Sequence, residues 1–211
     1  MRIQELIEAP LDIKTRQGVD NWARNQGYKF KATGSDARVY TSGNNTIIKV
    51  LVGSDGIPTT QAARGFLAFY NFCKQHPNHP NLPRFFGEPK TQSYGNEDVV
   101  HIEMERLQEL DKRMKNITED LVAHIGSKWE DLAAAERDEV SAATWGMLKK
   151  PFEGEQAQWQ EFFKLLNKLY KYFNQEFPAG KSSLSTRFDM EYGENVMQRN
   201  GIPVIIDPFV A

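Results

Sequence analysis

Three oxygen-bearing side chains near the end of the sequence, Asp189, Asn195 and Asp207, have the types and spacing to handle a cation and a hydroxyl together. Between the last two lies Asn200-Gly201, a dipeptide that favours a two-residue hairpin turn because both positions tolerate positive φ. Asn195 stands five residues before Asn200 and Asp207 six after Gly201, so both arrive at the open end of the hairpin. Facing residues on paired strands are about 4.5–5.5 Å apart, which lets an amide oxygen and a carboxylate approach one cation. A sparse, oxygen-only site of this kind suits Mg2+ completed by waters and substrate phosphates. Asp189, six residues ahead of Asn195, then projects toward the same place and could orient or deprotonate an attacking hydroxyl. Taken singly each is an ordinary turn or loop former; the ordered trio is what points to chemistry.

A second feature lies in the first quarter of the chain. Lys49 sits within the apolar run Ile47-Ile48-Lys49-Val50-Leu51-Val52, where an ammonium is costly unless it is paired or bound to an anion such as phosphate. The bland alternative is an edge strand whose lysine reaches water. Upstream, Gly34-Ser35-Asp36-Ala37-Arg38-Val39-Tyr40 joins two strands through a glycine-bearing turn that could cover phosphates with backbone N–H groups, a weak signal by itself.

The elements that would position these residues follow from patterning. Residues 1–27 read as a helical lead-in that Gly27 can end in the left-handed conformation. Tyr28–Ala32, Ala37–Thr41 and Thr46–Val52 read as an antiparallel meander, separated by turn-forming clusters. From Pro58 to Gln75, Ala62, Phe66, Phe69, Tyr70 and Cys73 recur at helical spacing and predict one amphipathic helix packed on those strands. Arg84–Glu88 and Asp98–Met104 read as two further strands joined by a turn around Gly95. After Glu105 the texture becomes helical: Ser127-x-x-Glu130 forms a capping box, and Trp159, Phe162, Phe163, Leu166, Leu169, Tyr170 and Phe173 make a broad apolar stripe expected in the core. Pro178–Ser185 reads as a loop before the final hairpin.

Composition narrows the function classes. The 211 residues are enough for a real core, with 26 Lys and Arg against 28 Asp and Glu, so no basic excess exists to neutralise a nucleic-acid backbone. One cysteine, Cys73, excludes an internal disulfide, and Cys73-x2-His76-x2-His79 lacks a fourth zinc ligand. No apolar run could span a bilayer, and the start MRIQELIEAP carries acid where a signal peptide needs apolar residues. The expectation is a soluble cytoplasmic protein with no nucleic-acid or membrane partner.

The order glycine turn, strand lysine, amphipathic helix, HPNLP (His79 to Pro83), hinge-like IEMERL (Ile102 to Leu107), helical region, Asp189, Asn195, hairpin and Asp207 resembles the protein-kinase-like fold. More narrowly, FDMEYGENVMQRNGIPVIIDPF (Phe188 to Phe209) and GSDARVYTSGNNTIIKV (Gly34 to Val50) resemble the early serine/threonine protein kinases of short-tailed lytic bacteriophages. The resemblance implies an α+β, minimal two-lobed fold: residues 1–105 a helical extension and an antiparallel five-stranded nucleotide-binding lobe, residues 106–211 a helical lobe with the catalytic loop and metal-binding hairpin. It implies ATP and Mg2+ as cofactors, with Asp189 catalytic, Asn195 and Asp207 the metal ligands, and Lys49 on the α/β-phosphates. Gly34, Ser35, Glu103 and Glu105 would line the nucleotide, and Met104 would form a pocket wall. The implied reaction is phosphoryl transfer to serine or threonine of host proteins in the host cytoplasm.

Three features depart from that pattern. Asp189 to Asn195 spans six residues where such kinases have five. Glu191 replaces the Lys or His that faces the transferring phosphate, which reverses the local charge. The helix from Pro58 to Gln75 contains no acidic residue to pair with Lys49, and Gln61 is the polar side chain of similar length. Glu191 and the extra loop residue favour, as an alternative, a pseudokinase that acts by binding a host protein; a small-molecule phosphotransferase of the same fold is also open.

Overall fold

The computed structural model describes residues 16–34, 37–43, 45–51, 60–94, 97–126, 156–178, 187–188, 190 and 195–210. The architecture is mixed α+β, with one five-stranded antiparallel sheet, as the sequence leads one to expect. The elements are α1 (Arg16–Asn25), β1 (Lys29–Thr33), β2 (Ala37–Ser42), β3 (Thr46–Leu51), α2 (Thr60–Gln75), β4 (Lys90–Tyr94), β5 (Glu97–Glu105), α3 (Lys112–Gly126), α4 (Gln156–Glu176), β6 (Arg187–Phe188), β7 (Val196–Arg199), β8 (Ile202–Ile205) and β9 (Phe209–Val210). They fall into two compact units. The first holds α1 and β1 to β5; the second holds α2 from Arg64 onward, α3, α4 and β6 to β9.

In the first unit the strands run in the order β1-β2-β3-β5-β4. Alternation sets the two faces: Ile48 and Val50 of β3, with Tyr40 of β2, pack against Val19, Trp22 and Ala23 of α1. The helix stops where Gly27 takes φ 78°, with Tyr28 N–H donating to the Ala23 carbonyl at 2.9 Å and Gly27 N–H to that of Arg24 at 2.9 Å. This six-to-one, five-to-two pair is a Schellman cap, and Tyr28 closes it by setting its ring 5.9 Å from that of Trp22. The same face carries a charged clamp. Arg38, buried in β2, donates two bonds of 2.7 Å to the carboxylate of Asp20 in α1, and Tyr40 Oη donates to Asp20 at 2.7 Å.

The fourth strand differs from the expectation. Arg84–Glu88 forms only an isolated bridge, Phe85 with Met104, because Gly87 turns the chain at φ 93° and Phe86 N–H donates to the Glu103 carbonyl at 2.8 Å. The strand is instead Lys90–Tyr94, registered from Lys90 opposite His101 to Tyr94 opposite Glu97.

In the second unit the apolar stripe of α4 is core: Trp159, Phe162, Phe163, Leu166, Leu169 and Phe173 are all buried, while Tyr170 is half-buried. From Arg64 on, the amphipathic helix α2 belongs to this unit, with Phe72 5.3 Å from Tyr172 and Phe69 6.1 Å from Phe209. Its apolar face finds aromatic partners on α4 and in the chain's last strand. Gly65 makes that approach possible, since a Cβ there would stand 3.1 Å from the Phe209 carbonyl oxygen. Pro58 and the capping box Ser127-x-x-Glu130 lie outside the described residues.

Candidate functional site

The final hairpin forms as counted from the sequence. Asn200 at φ 52° and Gly201 at φ 79° make the two-residue turn, whose twist matches that of the flanking strands. Val196 pairs with Ile205 and Arg199 with Ile202, and beyond the strands Ile206 N–H donates to the Asn195 carbonyl at 2.9 Å. Asn195 therefore faces Ile206, and Asp207 is the next residue along. Both are half-buried.

A pairing that sequence patterning did not reveal completes this end. β6 and β9 form a two-residue ladder in which Phe188 faces Phe209. Strands so short carry no readable period. The segment between Phe188 and Asn195 thus begins and ends against one stretch, residues 206–209, with Asp207 inside it. Asp189, the residue after Phe188, and Glu191 lie outside the described residues.

The outer edges of the hairpin are satisfied by residues far away in sequence. On the β7 side, Gln108 and Gln198 exchange backbone bonds of 3.0 and 2.8 Å, and Gln198 Nε2 donates to the Glu109 carbonyl at 2.8 Å. On the β8 side, Asn81 Nδ2 donates to the Pro203 carbonyl at 2.7 Å while Ile205 N–H donates to the Asn81 carbonyl at 3.0 Å. Pro203 is tolerated because its missing N–H faces this outer edge rather than β7. Arg199, at the turn end, donates to the carbonyls of Pro80 and Leu82, each at 2.9 Å. Asn81 is 1% exposed, and its own N–H donates to His79 Nδ1 at 3.2 Å. Burial, helped by the nearby charges of His76 and Lys168 against an opposing Glu161, lowers the His79 pKa from its ordinary value. The bond from Asn81 gives His79 a structural role in this loop; the bracing by Asn81, Gln108 and Arg199 had no signal in the sequence.

In the first unit Lys49 is buried on β3, between β2 and β5, so the edge-strand reading does not apply. It stands opposite Val39 and Ile102, on the face away from α1, and Met104 shares that face opposite Ile47. Glu103 and Glu105, placed beside the nucleotide by sequence, stand opposite Ile48 and Thr46. Their side chains therefore belong to the α1 face, and the Glu103 carbonyl accepts from Phe86. Of Glu103 and Glu105, only the backbone groups lie where they could share a ligand with Lys49. The Gly34 N–H donates to the Ala37 carbonyl at 2.8 Å and is already committed; Ser35 lies outside the described residues.

Asn195 and Asp207 thus lie at one end of the hairpin in the second unit, one residue out of register, while Lys49 and the side chains of Glu103 and Glu105 lie on opposite faces of the sheet in the first. An amide oxygen and a carboxylate, half-buried at a braced strand end, are a donor set that fits Mg2+ with its retained waters. No helix among the described residues is long and apolar enough to cross a membrane.

No family model matches the chain, and no curated protein does. Among solved structures, it is similar to APH(2'')-IIa in complex with gentamicin, at 13% identity and a TM-score of 0.36, over 86% of this chain and 65% of that one. It is also similar to the aminoglycoside phosphotransferase APH(2'')-Ib bound to ADP, at 12% identity and a TM-score of 0.37, over 90% and 69%. A third likeness, to the streptomycin–ATP complex of APH(2'')-IIa, has 14% identity and a TM-score of 0.35 over 92% and 71%. The chain spans about two thirds of the length of these proteins, and the reading of the site rests on its own geometry.

Proposed function

We propose that the chain is an ATP- and Mg2+-dependent phosphotransferase of protein-kinase-like fold. The observation that supports this best is the closed arrangement around Asp207: Asn195 bonds to Ile206, and Phe188, next to Asp189, pairs with Phe209. In this reading Asn195 and Asp207 hold the cation, and Lys49 binds nucleotide phosphate oxygens. Asp189 orients the acceptor hydroxyl and accepts its proton as the γ-phosphoryl group is transferred. Magnesium bound at the hairpin supplies charge neutralisation on the phosphate oxygens. Lys49 and Asp207 act chiefly by positioning and by placing fixed charge where the phosphates lie.

The acceptor we assign is a serine or threonine hydroxyl of a protein, in line with the resemblance to phage kinases, whose substrates are host proteins. Glu191 favours a second reading, a binding protein with weak transfer. The test is incubation of the purified chain with γ-labelled ATP and Mg2+, with host lysate as one acceptor and gentamicin as another, beside Asp189→Ala and Lys49→Met. Labelled protein that disappears with Asp189→Ala is the expected result, and Lys49→Met should weaken nucleotide binding at least tenfold without unfolding the chain. Label on gentamicin alone would reassign the acceptor to a small molecule. Nucleotide-dependent capture of a lysate protein without label would favour the binding role, and equal labelling by Asp189→Ala would refute its catalytic assignment.

A further inference from the structure

A two-stranded hairpin with four residues on each strand is marginal by itself, because both outer edges expose unpaired peptide groups. Here single residues stand in for the missing neighbouring strands. Asn81 takes the β8 edge, gripping the Pro203 carbonyl through its side-chain amide and the Ile205 N–H through its backbone carbonyl. Positions 203 and 205 present their backbone groups to the same edge, and the grip lies two residues from Asp207. Arg199 ties the opposite, turn end of the hairpin to the carbonyls on either side of Asn81. The loop thus holds the hairpin at two places with different consequences, on β8 two residues from Asp207 and at the end of β7 remote from it.

We propose that Asn81 is a positioning residue for the cation site: its buried side chain and carbonyl fix the peptides of Pro203 and Ile205, two residues before Asp207, and Mg2+ affinity depends on it. This rests on the reading that Asn195 and Asp207 hold the cation. Partners that orient metal ligands from behind affect affinity by about 10–100-fold when removed. Asn81→Asp keeps the shape but replaces the Nδ2 donor with an oxygen facing the Pro203 carbonyl, two acceptors in opposition. His79→Leu acts more gently from a half-buried position, deleting only the acceptor for the Asn81 N–H.

The measurement is the Mg2+ concentration that gives half of the thermal stabilisation produced by a non-hydrolysable ATP analogue, for the full chain. Asn81→Asp should raise that concentration by about tenfold or more, and His79→Leu should raise it less. Arg199→Met should lower the melting temperature yet leave the half-effective Mg2+ concentration unchanged, which separates positioning from general stability. If Asn81→Asp does not fold, His79→Leu decides: an unchanged Mg2+ requirement there overturns the proposal, as does an equal shift in Arg199→Met. Asp207→Ala tests the underlying reading separately. If that variant keeps the wild-type Mg2+ dependence, the cation site is elsewhere and the site assignment fails. If it loses the dependence while Asn81→Asp does not, only the role of Asn81 fails.

Discussion

Arg38 and Asp20 illustrate how one buried charge is made tolerable. Burial works against the guanidinium, but its bonds to Asp20 and Tyr40 more than offset this, so its pKa is raised above the ordinary value. The phenol of Tyr40 is likewise pushed up by burial and by donating to Asp20. Removing Asp20 strands the cation; Asp20→Leu should cost about 3 kcal/mol, the low end for a broken buried pair because its side chain is 25% exposed. The double variant Asp20→Leu/Arg38→Met should be less destabilised than Asp20→Leu alone, as urea titrations of the three proteins would reveal. His79 gives a pH-dependent counterpart. Its folded pKa is depressed below 6.5, so the unfolded chain takes up the proton first as pH falls. Its contribution is full above about 6.5 and is lost as pH drops toward the folded pKa. Stability should therefore rise with pH through that window, and His79→Gln should flatten the rise in a series of denaturation midpoints.

Among the elements, the proposed activity turns most on the residues between β6 and β7, Asp189 and Glu191 among them, whose described neighbours Phe188 and Asn195 pair with Phe209 and Ile206. A carboxylate about 4 Å from a phosphate charge costs on the order of 4 kcal/mol at an effective dielectric of about 20. Glu191→Lys should therefore raise phosphate transfer several-fold if Glu191 faces the γ-phosphate, and change it little if the extra loop residue turns it away. A large fall would make Glu191 a participant in the chemistry. What could be read from sequence was local. Asn200-Gly201 dictates its own turn, Gly27 its own cap, and the alternation of Ile48, Lys49 and Val50 its own faces. The fourth strand was misplaced because Phe85 and Phe86 look strand-like, while pairing with β5 is decided by register across the sheet. β6 and β9, at two residues each, and the bracing by Asn81 leave no periodic trace. The same locality holds for the candidate site: the place of Asn195 and Asp207 at one hairpin end follows from counting around one turn, whereas the sides of β5 on which Glu103 and Glu105 fall required the register against β3.

For the molecule as a whole, nucleotide binding should appear as added stability. At a Mg2+–ATP concentration a hundred times the dissociation constant, the native state gains about 2.7 kcal/mol. For a chain of this length that corresponds to about 5–10 °C in melting temperature. Scanning calorimetry with and without Mg2+ should find this shift with both present and a smaller one with ATP alone. The bracing of the hairpin also has a kinetic meaning. Asn81 and Pro203 are 122 positions apart, and Arg199 reaches Pro80 across 119. Closing loops of that size costs about 3 kcal/mol more chain entropy than closing the hairpin turn, and this cost is met before the contacts stabilise anything. These bonds should therefore be absent from the folding transition state. Asn81→Asp should speed unfolding while leaving the refolding rate almost unchanged, so that only the unfolding arm of a stopped-flow chevron moves. The end of the chain that carries Asn195 and Asp207 would then be the last part of its unit to assemble during folding and the first to come apart.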